Sequence, residues 1–147
     1  MSLNFSFGQQ TPTATRTLLL VEDDTSLLFA LRSFFVRHGW HLLTAENVAE
    51  GIALFTANHR HIDAVLTDYD LPNGQTGLEL VTHIQMRQPG FPGVVMSAHW
   101  TEAKRPKDEP KANLFYRAKP FAMAAMLELL VEASGNWERP AVSEQPV

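Results

Sequence analysis

The chain alternates between short, mostly apolar runs and longer stretches in which apolar residues recur at helical spacing. The first short run, at residues 17–21, lacks the polar alternation of a half-buried strand, as strands covered on both faces of a parallel sheet do. We therefore predict five strands, at residues 17–21, 40–44, 64–67, 93–96 and 114–117. Strands that alternate with helices indicate a parallel sheet with helices on both faces, so the predicted fold is a doubly wound α/β domain.

Capping residues and glycines mark the helical stretches between the strands. Asp24 or Thr25 can cap the first helix, and Gly39 follows its expected end as a helix-terminating glycine does. Asn47 can cap a second helix that runs to about residue 58. Two further helices are predicted, from residue 78 to the residue before Pro89 and at residues 121–133.

A fourth helix is expected at residues 101–112 but conflicts with the local composition. The segment contains Pro106 and Pro110 among several charged residues. A proline inside a helix costs about 3 kcal/mol or more, because it removes a hydrogen bond and its ring clashes with the preceding turn. We therefore predict a fourth helix that is short, distorted or disordered.

Length, charge and cysteine content narrow the class of protein. The 147 residues suit one domain, which we place at residues 16–134 between a flexible N-terminal segment at 1–15 and a C-terminal tail at 135–147. A net charge of −4 argues against a surface for nucleic acid or for anionic membranes. No apolar stretch approaches the roughly 20 residues of a membrane span. The absence of cysteine fits a reducing compartment, so a cytoplasmic protein is expected.

Carboxylates follow two of the predicted strands at the point where each strand ends. Glu22, Asp23 and Asp24 come directly after the first strand, and Asp68 comes directly after the third. The carboxyl ends of parallel strands meet at one edge of the sheet, where ligands bind in open α/β folds. Clustered carboxylates repel one another unless a cation lies between them. Carboxylate oxygens suit Mg²⁺, so the sequence predicts a magnesium site with one carboxylate free to react.

Two further side chains at the same predicted edge complete a possible chemistry. Ser97 ends the fourth strand, and Lys119 lies just beyond the fifth. Asp68 can attack a phosphoryl group to form an aspartyl phosphate, and a metal ion and Lys119 can neutralise the charge on its oxygens. The Ser97 hydroxyl can donate a hydrogen bond to one of those oxygens.

Four short stretches, taken in order, resemble a known family. They read Leu-Val-Glu-Asp at 20–23, Leu-Thr-Asp-Tyr-Asp-Leu-Pro at 66–72, Met-Ser-Ala at 96–98 and Tyr-Arg-Ala-Lys-Pro-Phe at 116–121. Here the chain resembles the response-regulator receiver domain of two-component signal transduction, over about residues 17–134. The resemblance implies a flavodoxin-like sheet with strand order 2-1-3-4-5.

The resemblance also implies a role for each matching residue. Asp68 would be the phosphoacceptor, with Ser97 and Lys119 beside its phosphoryl group, and Ser97 and Tyr116 would change position on phosphorylation. The implied Mg²⁺ ligands are Asp23, Asp68, the backbone carbonyl of Asp70 and, through a water molecule, Glu22. In most relatives the peptide bond between Lys119 and Pro120 is cis.

The function implied is that of a stand-alone phosphoacceptor rather than an enzyme acting on an external substrate. A histidine kinase or a histidine phosphotransfer protein would donate a phosphoryl group to Asp68, and the domain would catalyse only its own phosphorylation and dephosphorylation. Output would pass by a conformational shift to a downstream protein that the sequence does not identify. No nucleic-acid or membrane partner is expected, and the resemblance also allows a homodimer.

Two other functions stay open at the level of sequence. The Asp68-Tyr69-Asp70 triplet has the Asp-x-Asp form used by haloacid-dehalogenase-type phosphohydrolases, although that motif belongs on a first strand and here follows the third. The irregular segment at 101–112 also keeps open an interaction module that works without phosphorylation.

Overall fold

The structure is a computed structural model that describes residues 15–99, 101 and 112–140. One five-stranded sheet runs through these residues, with all neighbouring strands parallel and the order β2-β1-β3-β4-β5. The strands are β1 (Thr17–Val21), β2 (His41–Ala45), β3 (Ala64–Asp68), β4 (Gly93–Ser97) and β5 (Leu114–Ala118). The predicted strand order is confirmed.

The described part of the chain also contains four α-helices and one short 3-10 helix. They are α1 (Thr25–Arg37), α2 (Val48–Asn58), the 3-10 helix Pro72–Gly74, α3 (Gly77–Arg87) and α4 (Met123–Gly135). The predicted irregular helix at 101–112 lies outside the described residues except for its two end positions.

The sheet separates two apolar clusters, which confirms the doubly wound arrangement. On one face, α2 and α3 cover a cluster that includes Phe55, Ile62, Leu80 and Phe91. On the other face, α1 and α4 cover a cluster of buried residues from β1, β3 and the two helices: Leu18, Leu20, Ala64, Leu66, Leu31, Phe35, Met126 and Leu130. Burial of apolar surface contributes about 25 cal/mol per Å², so these two layers are the main source of stability.

The helix caps predicted from sequence are present. The Asp24 side chain accepts hydrogen bonds from Ser26 N and Leu27 N, so Asp24 rather than Thr25 caps α1. Asn47 caps α2 by accepting from Glu50 N. Gly39 follows α1 with φ +90°, the left-handed conformation that glycine adopts without steric cost.

Several predicted boundaries differ from the structure by one or two residues: β3, β4 and β5 each end one residue later than predicted, and α3 begins and ends one residue earlier. Strand β2 begins one residue later than predicted, because Trp40 N donates to Phe35 O and the buried Trp40 ring packs edge-on against Phe35 at the end of α1. The last helix begins at Met123 rather than at 121, because the chain stays extended at Ala122 after the turn through Pro120. Among the described residues, no helix has both the length and the apolarity needed to cross a bilayer.

Candidate functional site

The carboxyl ends of β1 and β3 bring three carboxylates together. The two strands pair directly, with Val21 opposite Thr67, so the residues that follow β1 lie beside Asp68. Glu22, Asp23 and Asp68 each place a carboxylate oxygen within 4.8 Å of the other two. Glu22 and Asp68 are buried, whereas Asp23 is exposed. The predicted acidic cluster is therefore present at the predicted edge of the sheet.

Lys119 reaches two of these carboxylates with its side-chain amine. Its Nζ lies 3.0 Å from Glu22 Oε1 and 3.1 Å from Asp68 Oδ1. The backbone holds it there, because Lys119 N donates to Ser97 O at 2.8 Å. The peptide bond to Pro120 is cis, as the resemblance implies. One ammonium group thus bridges two carboxylates from different strands.

Burial affects the acids and the lysine in different ways. Burial raises the pKa of Glu22, against a backbone hydrogen bond from Asp24 and the attraction of Lys119. Burial also raises the pKa of Asp68, and Lys119 offsets only part of that effect. Burial alone would lower the pKa of Lys119, but its bonds to Glu22 and Asp68 raise it above the ordinary value. The lysine therefore stays charged while the two buried carboxylates remain under-compensated.

The charge of this cluster matches a divalent cation. Three carboxylates and one ammonium leave two uncompensated negative charges within a few ångströms. The donors are hard carboxylate oxygens, which Mg²⁺ prefers, and the exposed Asp23 gives access from solvent. The residues present thus fit a Mg²⁺ ion.

The start of α3 packs directly against the end of β3. Gly77 N donates to Tyr69 O at 2.8 Å, and Thr67 Oγ1 donates to Asp68 O at 2.9 Å. A Cβ on Gly77 would overlap with the Asp68 carbonyl oxygen and lie 2.6 Å from Thr67 Oγ1. Only glycine allows this approach. The first turn of α3 therefore packs directly against the backbone of Asp68.

The other predicted site residues have the following positions. Ser97 is fully buried at the end of β4, where its Oγ accepts a hydrogen bond from His99 N at 3.2 Å. Tyr116 pairs with Val95 within the sheet and packs partly buried against the cluster under α2 and α3. Asp70 lies in the loop after β3, where it forms an isolated antiparallel bridge with Thr76. The roles of these three residues stay predictions.

Two features of the site region were missed by sequence reasoning. The ion pair between Glu22 and Lys119 joins residues 97 positions apart, and no local pattern signals it. By contrast, Thr76 and Glu79 form a capping box at the start of α3, and the Thr-x-x-Glu spacing could have revealed it.

Fold and site together define a class: a doubly wound α/β domain with clustered carboxylates and one lysine at the carboxyl edge of its sheet. Residues 18–130 match the family model of the response regulator receiver domain, and the chain therefore belongs to that family. The family belongs to two-component systems and is not an enzyme family in the usual sense. Together with the position of the Asp-x-Asp triplet on the third strand, this membership disfavours a haloacid-dehalogenase-type phosphohydrolase.

Individual proteins show the same likeness. The transcriptional regulatory protein GlrR of Escherichia coli is 27% identical over 138 residues, which cover 88% of this chain but only 30% of GlrR. The non-phosphorylated HemR receiver domain of Leptospira biflexa superposes with a TM-score of 0.71 at 25% identity, covering 87% of this chain and 100% of that chain. The response regulator TrrA of Thermotoga maritima, solved with Mg²⁺-BeF, has a TM-score of 0.70 at 22% identity and covers 81% of this chain and 99% of its own.

Proposed function

We propose that Asp68 accepts a phosphoryl group from a phosphohistidine of a histidine kinase or histidine phosphotransfer protein, with Mg²⁺ bound at the site. One observation carries the proposal: the Lys119 amine lies 3.0 Å from Glu22 and 3.1 Å from Asp68, beside a cluster of three carboxylates. The buried carboxylate of Asp68 thus has both a cation and an acidic cluster beside it. This arrangement suits phosphoryl transfer to an aspartate.

The transfer step exchanges one bond to phosphorus for another. A carboxylate oxygen of Asp68 attacks phosphorus and forms a P–O bond, while the P–N bond breaks and the imidazole nitrogen leaves with its electron pair. Lys119 stays protonated and donates hydrogen bonds to the phosphoryl oxygens, which replaces part of its contact with Asp68. Hydrolysis reverses the modification when water attacks phosphorus and the Asp68 carboxylate is released.

Mg²⁺ would be held by Asp23, Asp68 and the backbone carbonyl of Asp70, with Glu22 acting through a water molecule. When bound, Mg²⁺ supplies positive charge that neutralises the phosphoryl oxygens as charge develops on them. TrrA, which has the same fold, was solved with Mg²⁺-BeF, and this supports a bound Mg²⁺ without identifying its ligands.

A cleft beside Lys119 offers a path for the phosphoryl donor. It has a volume of about 590 Å³ and lies between the start of α1 and the loop before α4. Its walls are mostly apolar, with Leu27, Ala98, Phe121 and Met123 among them. An imidazole ring of a partner protein fits such a wall better than a free, strongly hydrated anion does.

The signal would leave as a shift between two conformations. In this proposal the Ser97 hydroxyl donates to a phosphoryl oxygen, and Tyr116 changes position with it, so phosphorylation favours one of two pre-existing arrangements. The downstream partner would be a protein that reads this arrangement. A cytoplasmic location, the absence of nucleic-acid and membrane partners, and homodimerisation stay predictions.

Mg²⁺ is expected to stabilise the metal-free protein because it relieves repulsion within the acidic cluster. At free Mg²⁺ about 100 times its Kd, the gain in unfolding free energy should be about 2.7 kcal/mol. Urea unfolding with and without Mg²⁺ measures it. Asp23→Asn should lose most of the gain, whereas Asp24→Asn should keep it, because asparagine caps α1 as well as aspartate does. Equal gains in both variants would contradict the metal assignment.

Phosphoryl acceptance is tested by intact mass after incubation with a small acyl phosphate and Mg²⁺. Wild type and Asp24→Asn should each gain one phosphoryl group, whereas Asp68→Asn should gain none. An adduct that persists in Asp68→Asn would show that another residue is the acceptor. No adduct on wild type would favour the phosphorylation-independent interaction module instead.

A further inference from the structure

The chain crosses from one face of the sheet to the other directly after α4. Helix α4 packs with α1, where Met126 and Leu130 belong to the cluster on that face. Trp137, two residues after the helix, packs against the cluster under α2 and α3 on the opposite face. Its ring centroid lies 4.9 Å from that of Phe91, and its Nε1 donates to Pro89 O at 3.3 Å. The segment therefore passes beneath the amino-terminal edge of the sheet.

Arg139 secures the far end of this crossing. Its guanidinium donates to His59 O at 2.7 Å, to Ile62 O at 2.9 Å and to Asp63 Oδ1 at 3.0 Å. His59 is the C-cap of α2, so the arginine satisfies a carbonyl that the helix itself leaves without a partner.

Two further contacts tie the arginine to the body of the domain. The guanidinium carbon of Arg139 lies 5.2 Å from the centroid of the Trp137 ring, within the range of a cation–π contact. Asp63 also accepts from Thr17 N at 2.8 Å, which connects the arginine to the first residue of β1. Trp137 and Arg139 thus contact each other as well as the body of the domain, so their contacts form one connected network.

We propose that residues 136–140, the basal latch, are a built-in strap that binds the end of α4 to the α2/α3 face. The folded unit then extends to Pro140, beyond both the predicted boundary at residue 134 and the family match that ends at residue 130. The latch lies at the amino-terminal edge of the sheet, whereas Asp68 and Lys119 lie at the carboxyl edge. Arg139 thus lies at the C-cap of α2, at the end of the domain remote from the phosphoacceptor.

The crossing is tested by distances between spin labels on the full chain. The sequence contains no cysteine, so pairs of introduced cysteines are labelled without background. Pro140→Cys is paired with Ala57→Cys on α2 in one sample and with Val36→Cys on α1 in the other; all three positions are exposed. Electron–electron double resonance should give a shorter and narrower distance to position 57 than to position 36. A shorter distance to position 36, or broad distributions in both samples, would overturn the latch.

The contribution of the latch is tested by unfolding. Trp137→Ala and Arg139→Ala should each lower the urea midpoint and speed amide exchange at residues 59–63, whereas Glu138→Ala, an exposed neighbour, should change neither. Both latch variants should still accept a phosphoryl group in the intact-mass assay, which separates this proposal from the proposed function. Midpoints and exchange rates equal to those of Glu138→Ala would show that residues 136–140 are not part of the folded unit.

Discussion

Replacing Gly77 by alanine is expected to destabilise the protein by about 3 kcal/mol or more, at the upper end of what overpacking a tight site costs. The added Cβ would overlap with the carbonyl oxygen of Asp68 and approach Thr67 Oγ1 to 2.6 Å. The first of these atoms is backbone at the end of a central strand, so it cannot move aside cheaply. Relief requires α3 to move away from β3, which would displace the proposed phosphoacceptor. The variant should therefore unfold at a lower urea concentration than wild type and take up the phosphoryl group more slowly.

Gly51→Ala is the matched control for this substitution. Its Cβ would meet only side-chain methyl groups, at 3.2 Å from Leu80 and 3.3 Å from Val21. Those methyl groups can shift by a few tenths of an ångström. In the interior of a helix, alanine is more favourable than glycine by about 1 kcal/mol. We expect a small change of either sign for Gly51→Ala. A similar small change for Gly77→Ala would contradict the claim that this glycine sets the junction between β3 and α3.

Lys119→Ala is expected to slow phosphoryl transfer to Asp68 by about 10²- to 10³-fold, as loss of one well-placed donor to a developing anion does. The variant removes the ammonium group that lies 3.1 Å from Asp68, and it leaves the buried Glu22 without its cation. The rate of adduct formation, followed by intact mass at saturating Mg²⁺, measures the effect.

Arg117→Ala removes an equal charge two residues earlier and serves as the control. Arg117 is exposed, and its guanidinium donates to Tyr116 O. We expect phosphorylation of this variant close to that of wild type. If Lys119→Ala slows the reaction no more than Arg117→Ala does, Lys119 contributes only through its charge and not through a direct contact with the phosphoryl group. That result would contradict the proposed geometry.

Sequence reasoning predicted the parts of the fold that repeat a simple pattern. A strand covered on both faces, such as β3 with all five residues buried, has a run of apolar residues without polar alternation, here Ala64 to Leu66, and such a run is visible without a structure. The site followed from the same logic, because residues at the carboxyl ends of parallel strands share one edge. Asp23, Asp68 and Lys119 could thus be brought together from positions far apart in the chain.

What escaped prediction depends on contacts between segments without periodicity. The hydrogen bond from Arg139 to His59 O joins residues 80 positions apart, and neither residue belongs to an amphipathic pattern. From the sequence alone, one tryptophan and one arginine after a helix indicate only a C-terminal tail. Their packing against the domain is visible only in the structure. The close approach of Gly77 to the backbone of Asp68 was not predicted either. A glycine after a turn-rich loop is already explained by the turn, so the sequence gives no sign of a second role.

The most direct test of the account locates the phosphoryl group itself. Wild-type protein, charged with an acyl phosphate and Mg²⁺, is reduced with borohydride, which converts an aspartyl phosphate to homoserine, and is then digested and sequenced by mass spectrometry. We predict homoserine at position 68, with Asp23 and Asp70 unchanged. Homoserine in place of a different aspartate would contradict the central claim. So would the absence of homoserine from a sample that has gained a phosphoryl group.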